Sequence, residues 1–291
     1  MKRLLVLGGN GLIGHQLVRH FHANATSRIK SRGTIYLDIT DTDRLREVII
    51  SHRPDYILNA TGLGFEQCRV DPHLASLVNT RSVAILTELA NEIGAQVVQL
   101  STDYVFDGAR GEYTEEDMVS PLSVYGRTKL EGESYVLQSG GIVIRLGLVY
   151  ELSYSGRKIT LPEAVRRHLI NKNHFGVAMD QRLSPTLLRD VPYLIQKLLE
   201  HRVRGLFHAG SPRSITRFEF CRLAAQAYGL NPNLVLPIRM ADDRFYDGRP
   251  IDTSLVVRKA MNFWSLTDVW DYLGNSAYWI YRPPKVSGND R

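Results

Sequence analysis

Apolar residues along the first half of this chain come in short unbroken runs, and between the runs they recur every three or four positions. Leu4–Leu7, Tyr56–Ala60, Val97–Ser101 and Ile142–Leu146 are runs of this kind, each bounded by Gly, Pro, Asp or other turn-forming residues. Such runs predict strands buried on both faces. Leu12–Phe21 has helical spacing, and His73–Ile93 predicts a long helical segment ending at Gly94, a natural C-cap. Strands alternating with helices predict an α/β fold, a doubly wound parallel sheet covered on both faces. Beyond about residue 150 the regularity falls. Thr160–Asn171 and Leu187–His201 are expected to be helical, Gly205–Ala209 to be a strand, and Arg217–Tyr228 to be an amphipathic helix stopped by Gly229. Residues 1–150 are therefore expected to form a nucleotide-binding domain, with segments of roughly 175–215 returning to it. Residues 151–291 should form mainly a smaller C-terminal substrate lobe, and the tail Arg282–Arg291, with two prolines, should fray.

Composition narrows the class. With 291 residues, 44% hydrophobic and 23% charged, the chain resembles an ordinary soluble globular protein long enough for one large α/β unit or two domains. No apolar stretch approaches the ~20 residues that span a bilayer. Gly8, Gly9 and Asn10 interrupt the apolar start too early for a signal peptide, so no membrane partner is expected. Cys68 and Cys221 lack the spacing of a zinc site or a disulfide framework, so no metal is expected and a reducing cytoplasmic setting is the simplest. The net charge of +6 is scattered and accompanied by no nucleic-acid motif, which argues against nucleic acid and for an enzyme handling anionic nucleotides.

Two motifs carry chemistry. Gly8, Gly11 and Gly14 follow the first strand and open the first helix. Glycines there permit a tight turn and let a pyrophosphate approach the helix N-terminus, the Rossmann-type arrangement. Arg28, Lys30 and Arg32 stand where a second strand should end; they suit the 2′-phosphate of NADPH, or equally a solvated charged turn, so NADH stays open. The second motif is STDYVFDG (101–108) followed by YGRTK (125–129). Tyr125 and Lys129 share one helical face, and a nearby ammonium is expected to lower the tyrosine pKa from about 10 and ready it for proton transfer. Tyr-x-x-x-Lys also occurs at Tyr154, Tyr193 and Tyr281; only Tyr125 follows a polar strand end and opens a helix.

Taken together, GGNGLIG, LDITD (37–41), PDYILNATG (54–62), STDYVFDG, YGRTKLEGE (125–133), SPT (184–186), GLFHAGS (205–211) and GRPIDTSL (248–255) resemble the extended short-chain dehydrogenase/reductases, and within them the dTDP-4-dehydrorhamnose reductase family. The resemblance spans nearly the whole chain. It implies an NADPH-dependent oxidoreductase that reduces the 4-keto group of a nucleotide-linked deoxysugar, with Thr102, Tyr125 and Lys129 catalytic. It puts Gly8, Asn10, Gly11, Leu12 and Ile13 around the pyrophosphate, Asp38 and Ile39 beside the adenine, and Ala60, Thr61 and Gly62 along the remaining cofactor groove. Thr102, Asp103, Leu148 and Arg249 would face the sugar nucleotide. Bland roles compete: Thr102 and Asp103 as caps of a strand end, Asp38 as the N-cap of the helix after Thr40, and Arg249 as a surface arginine. The chain departs from the family at Leu148, where a tryptophan is usual, and in NATGLGFEQC (59–68), both toward the substrate. Two other functions are weighed. One is a non-catalytic NADP-binding regulatory subunit like the methionine adenosyltransferase β subunit. The other is a dehydratase or epimerase, disfavoured because Tyr104 stands where dehydratases carry glutamate. The oligomeric state, including a homodimer, is left open.

Overall fold

The computed structural model describes residues 2–31, 33–152 and 159–275. Arg32, Tyr154, Tyr281 and the tail Arg282–Arg291 lie outside the described residues. The apolar runs form strands β1 (Leu4–Leu7), β2 (Asn24–Ser27), β3 (Ile35–Tyr36), β4 (Tyr56–Asn59), β5 (Gln96–Thr102) and β6 (Ile142–Leu146), joined by the strand Gly205–Ala209. They lie in one seven-stranded sheet of order β3-β2-β1-β4-β5-β6 with Gly205–Ala209 at the far edge. Every pairing in it is parallel. The order reverses between β1 and β4, and in open parallel sheets that crevice is where ligands bind.

Period-two alternation sorts the strand residues onto two faces. Val6, Leu58, Val98 and Ile144 enter one core, Leu5, Ile57, Val97 and Val143 the other. Helix α1 (Leu12–Phe21) and the helix Asp190–Glu200 cover the first face. Helix α2 (Thr42–His52) packs with later helices on the second. There α3 (Phe65–Val70) and α4 (Pro72–Ser76) lead into a π-turn at Leu77–Arg81 and then α5 (Ser82–Ile93), which does end at Gly94. The predicted helix at His73–Ile93 therefore forms, interrupted by a wider turn. That turn seats buried Asn79 against the loop after β4: its Oδ1 accepts from Leu63 N at 2.9 Å and its Nδ2 donates to Thr128 Oγ1 at 3.2 Å. Helix α6 (Val124–Gln138) starts where Ser123 caps it, Oγ accepting from Gly126 N at 3.1 Å.

A third core gathers Tyr150, Val165, Leu169, Val177, Leu183, Phe220 and Tyr272. Around it lie helices Leu161–Ile170 and Arg217–Ala227 and three two-stranded pairings: Val149–Tyr150 with Thr186–Leu187, Phe175–Ala178 with Val235–Ile238, and Arg182–Leu183 with Ile215–Thr216. The chain crosses between the main sheet and this third core more than once. Residues 175–183 pair within the smaller lobe, Gly205–Ala209 returns to the main sheet, and Leu255, Val257, Ala260 and Leu266 pack on the main sheet's first face.

Candidate active site

The groove begins at the glycine loop. Gly8 has φ +80°, a conformation that favours glycine, and a Cβ on Gly14 would lie 2.1 Å from the Gly8 carbonyl oxygen. Only glycine at 14 lets α1 sit this close to the end of β1. Gly11 caps α1 with no side-chain bond to its first amides, leaving a helix N-terminus suited to an anion. Asn10 is turned to the second strand, its Nδ2 donating to Ser27 Oγ at 2.8 Å and Ser31 Oγ at 2.9 Å.

Two cavities run along the carboxyl ends of the strands from this loop. One, of about 300 Å³, is lined by Gly8, Asn10, Gly11, Arg28, Asp38, Ile39, Ala60, Thr61 and Gly62. Arg28 is thus at the cavity. Lys30 instead lies over the Tyr36 ring at 5.6 Å. Asp38 does not cap α2, as one expectation had it; Asp41 does, accepting from Arg44 N at 3.0 Å. Asp38 closes a local turn, its Oδ1 accepting from Thr40 N at 3.0 Å and Thr40 Oγ1 at 2.8 Å. The other cavity, of about 410 Å³, is lined by Gly11, Leu12, Ile13, Ala60–Gly64, Thr102, Tyr125, Lys129 and Leu148. An uncapped helix end, two glycines that a side chain would foreclose and two cavities in series fit a dinucleotide.

A third cavity, of about 440 Å³, continues past Thr102 and Tyr125 toward the smaller lobe. Thr102, Asp103, Tyr125, Leu148 and Arg249 all line it, so the expected substrate-side residues are brought together. Tyr125 arrives here because Gly126 presses onto the Tyr104 carbonyl, 2.1 Å from where a Cβ would stand. It lines this cavity beside Thr102, whose hydroxyl donates to Asp103 Oδ1 at 3.2 Å. Thr102 also does the blander job, capping the turn after β5 by accepting from Tyr104 N at 3.2 Å. Lys129 is buried and its Nζ donates to Leu100 O at 2.6 Å.

The electrostatics differ from the sequence expectation. Burial pushes the Tyr125 phenol well above the usual tyrosine value; the neighbouring Thr102 hydroxyl opposes this and the nearby Asp103 charge adds to the rise. The expected lowering by Lys129 does not govern, because the ammonium is committed to a backbone carbonyl and is itself pushed down to about 8 by burial, against the pull of Glu133. Asp103 is raised to about 6, chiefly by burial, while the Thr253 and Thr102 hydroxyls donate to it and the Arg217 charge draws it back. A phenol kept protonated is a proton donor rather than a base in this setting.

Arg249 is not a surface arginine. Its guanidinium lies between the Phe65 and Phe245 rings, 4.1 and 4.3 Å from their centres, and Nη2 meets Glu66 Oε1 at 2.8 Å. Phe65 and Glu66 belong to the departing segment 59–68, so that departure builds the wall which holds Arg249. Sequence reasoning missed Gln181, Arg217 and Thr253. Buried Arg217 donates from Nε to Gln181 Oε1 at 2.6 Å, and both line the third cavity. They stand at a strand end, a helix start and a loop, brought together only by the fold; the one local signal was Thr216, a helix N-cap directly before Arg217.

This fold and site define an extended short-chain dehydrogenase/reductase. Residues 1–271 match the family described as RmlD substrate binding domain, and the chain belongs to that family. Among its relatives is the methionine adenosyltransferase 2 subunit beta of Rattus norvegicus, 30% identical over 81% of this chain and 75% of that protein. The dTDP-4-dehydrorhamnose reductase of Aggregatibacter actinomycetemcomitans is 29% identical over 89% of this chain and 92% of its own. The crystal structure of a hypothetical dTDP-4-dehydrorhamnose reductase from Sulfolobus tokodaii superposes with a TM-score of 0.83 at 30% identity, covering 92% of this chain and 98% of that one.

Proposed function

We propose that this protein is an NADPH-dependent reductase of the 4-keto group of a nucleotide-linked deoxysugar. The observation that carries the reading is that Thr102 and Tyr125 line both the cofactor-sized groove and the third cavity, with Lys129 in the groove beside them. NADPH, when bound, supplies the hydride. Gly8, Gly11 and the α1 N-terminus would hold its pyrophosphate, Asp38 and Ile39 would flank the adenine, and Arg28 would meet the 2′-phosphate. Thr102 would donate a hydrogen bond to the carbonyl oxygen, and Tyr125 would give that oxygen its proton as charge develops there. Lys129 would hold the nicotinamide ribose. Arg217 and Arg249, at the wall of the third cavity, supply positive charge for a sugar nucleotide's diphosphate. Leu148 leaves room at the sugar that a tryptophan would fill. A cytosolic location suits two unpaired, buried cysteines.

The test is NADPH oxidation against a panel of nucleotide-linked 4-ketosugars, beside calorimetric titration with NADPH and NADH. Turnover with NADPH bound more tightly supports the proposal. Tighter NADH binding removes the argument from Arg28. Cofactor binding with no turnover on any ketosugar would favour the rival reading, a nucleotide-binding regulatory subunit, which the methionine adenosyltransferase relative motivates.

A further inference from the structure

Thr253 reaches the reacting centre from a segment 150 residues away. The residue is 1% exposed, and its hydroxyl donates to Asp103 Oδ2 at 2.5 Å. The Thr102 hydroxyl donates to the other oxygen, Oδ1, at 3.2 Å. Above a pH of about 6 Asp103 is ionised and accepts only, so both hydroxyls are its donors. The two bonds are unequal. Hydroxyl donors usually sit about 2.5–3.0 Å from an oxygen acceptor; Thr253 is at the short end of that range and Thr102 lies beyond it. Nor is the Thr253 hydroxyl needed to seat its own segment. Thr253 N donates to Arg182 O at 3.0 Å, Arg182 N to Ile251 O at 2.8 Å, Asp252 N to Gly108 O at 3.1 Å and Val256 N to Tyr113 O at 2.8 Å. Its neighbours Asp252 and Ser254 turn to the far side of the segment, where they line a separate polar cavity with Arg110 and Arg182. Thr253 faces the third cavity with Thr102 and Asp103.

We propose that Thr253 is a positioning residue for the reduction: by occupying Asp103 it leaves Thr102 only weakly held there, free to turn its hydroxyl from the carboxylate to the ketone oxygen. Thr102 has one hydroxyl proton, and in this structure it goes to Asp103. Donation to the substrate therefore costs the Thr102–Asp103 bond. With Thr253 in place, the carboxylate keeps a short hydrogen bond when Thr102 leaves. Without Thr253, the departure of Thr102 would leave a buried carboxylate with neither hydroxyl, and stranding a buried charged acceptor costs more than an ordinary hydrogen bond returns. Thr102 would then stay on Asp103, and the charge growing on the ketone oxygen would go without its donor. Thr253 acts through Thr102 and touches no reacting atom. This role rests on the reductase reading above.

The test is the single-turnover rate of NADPH oxidation at neutral pH, with the nucleotide-linked 4-ketosugar that wild type reduces best. Thr253→Val keeps the side chain's shape and removes the donor. The rate should fall about 10-fold or more, toward the loss in Thr102→Val and not beyond it, while KM for the sugar nucleotide and calorimetric NADPH affinity stay within a few-fold. Thr253→Ser keeps a hydroxyl and should restore most of the rate. In a Thr102→Val background Thr253→Val should cost little more, because both substitutions remove the same donor. Losses that multiply in the double variant overturn the proposal. So does an unchanged rate in Thr253→Val; a raised KM with that unchanged rate is the mark of a loosened segment that misplaces Arg249. Should Thr253→Val fail to fold, Thr253→Cys, with its weak thiol donor, takes its place in the same cycle and under the same criteria. No turnover by wild type on any ketosugar removes the reductase reading and this role with it. Wild-type turnover with multiplying losses removes the role of Thr253 alone.

Discussion

At Tyr125 a single hydroxyl separates the proposed chemistry from packing. Tyr125→Phe keeps the ring, including its edge-on contact with Tyr104 at 5.9 Å, and removes the proposed proton donor. Reduction should fall by roughly 10²–10⁴-fold, while calorimetric NADPH affinity stays within a few-fold. The control is Tyr193→Phe: Tyr193 heads another Tyr-x-x-x-Lys pair but is 43% exposed and stacks on Trp264. Equal losses from the two substitutions would remove Tyr125 from its assigned role. Leu148, which lines both the nicotinamide-side and substrate-side cavities, gives a second residue-scale expectation. Leu148→Trp fills that junction with a large flat ring and should lower kcat/KM for the true substrate, most for sugars bulkier than a simple 6-deoxyhexose, without changing cofactor affinity. Unchanged turnover of every accepted sugar would make Leu148 packing alone and pass the specificity to Phe65 and Glu66.

At the scale of elements, the helix Arg217–Ala227 shows how local sequence positions a distant group. Thr216 and Glu219 close a reciprocal capping box, Glu219 N donating to Thr216 Oγ1 at 3.2 Å and Thr216 N to Glu219 Oε2 at 3.0 Å. The first residue inside the cap is Arg217, which reaches Gln181 and the charge of Asp103. Thr216→Ala should cost about 0.5–2 kcal/mol in urea unfolding. It should also raise the KM for substrate more than it lowers kcat, because the helix start that aims Arg217 is loosened. A stability loss with unchanged KM would mean that the cap does not aim Arg217. The π-turn at Leu77–Arg81 is the complementary case. Nothing in the periodicity of His73–Ile93 marks it, and its consequence, Asn79 clasping the Leu63 backbone, depends on packing against α6.

Across the whole molecule, burial sets the response to acid. His208 lies fully buried on the edge strand of the main sheet, its Nδ1–H donating to Tyr113 O at 3.2 Å. Burial, aided by the nearby Arg145 charge, pushes its pKa down to about 3. A histidine whose folded pKa is depressed contributes stability that is complete above its unfolded pKa of about 6.5 and is lost as pH falls from there toward the folded value. Between pH 7.5 and 4.5 this single group should remove roughly 3 kcal/mol of stability. His208→Gln should flatten the urea-unfolding profile by that amount, even if it is less stable than wild type at pH 7.5. Asp103, raised to about 6, works in the opposite direction: its contribution is full below the unfolded aspartate pKa and is lost as pH rises through about 6. It is common to both proteins and cancels in the comparison. An equal acid slope in both would show that His208 is not the group responsible.

How much of this was legible in the sequence follows from the range of the forces involved. The parallel sheet, α1, α6 and the glycine loop are written locally, in apolar runs, helical spacing and glycines where a side chain collides with the backbone, so the sequence alone determines them. The Tyr125–Lys129 pair was visible too, since four residues fix one helical face. Its electrostatics were not, because desolvation depends on what the fold piles around a group, and that burial raised Tyr125 where proximity to an ammonium suggested lowering. The Arg249–Glu66 ion pair, the Asp103–Thr253 hydrogen bond and the Gln181–Arg217 contact each join residues 36 to 183 positions apart. No local pattern encodes such pairs. Only the tertiary structure, by folding the chain back and forth between the main sheet and the core around Tyr150, decided that these side chains would share one cavity.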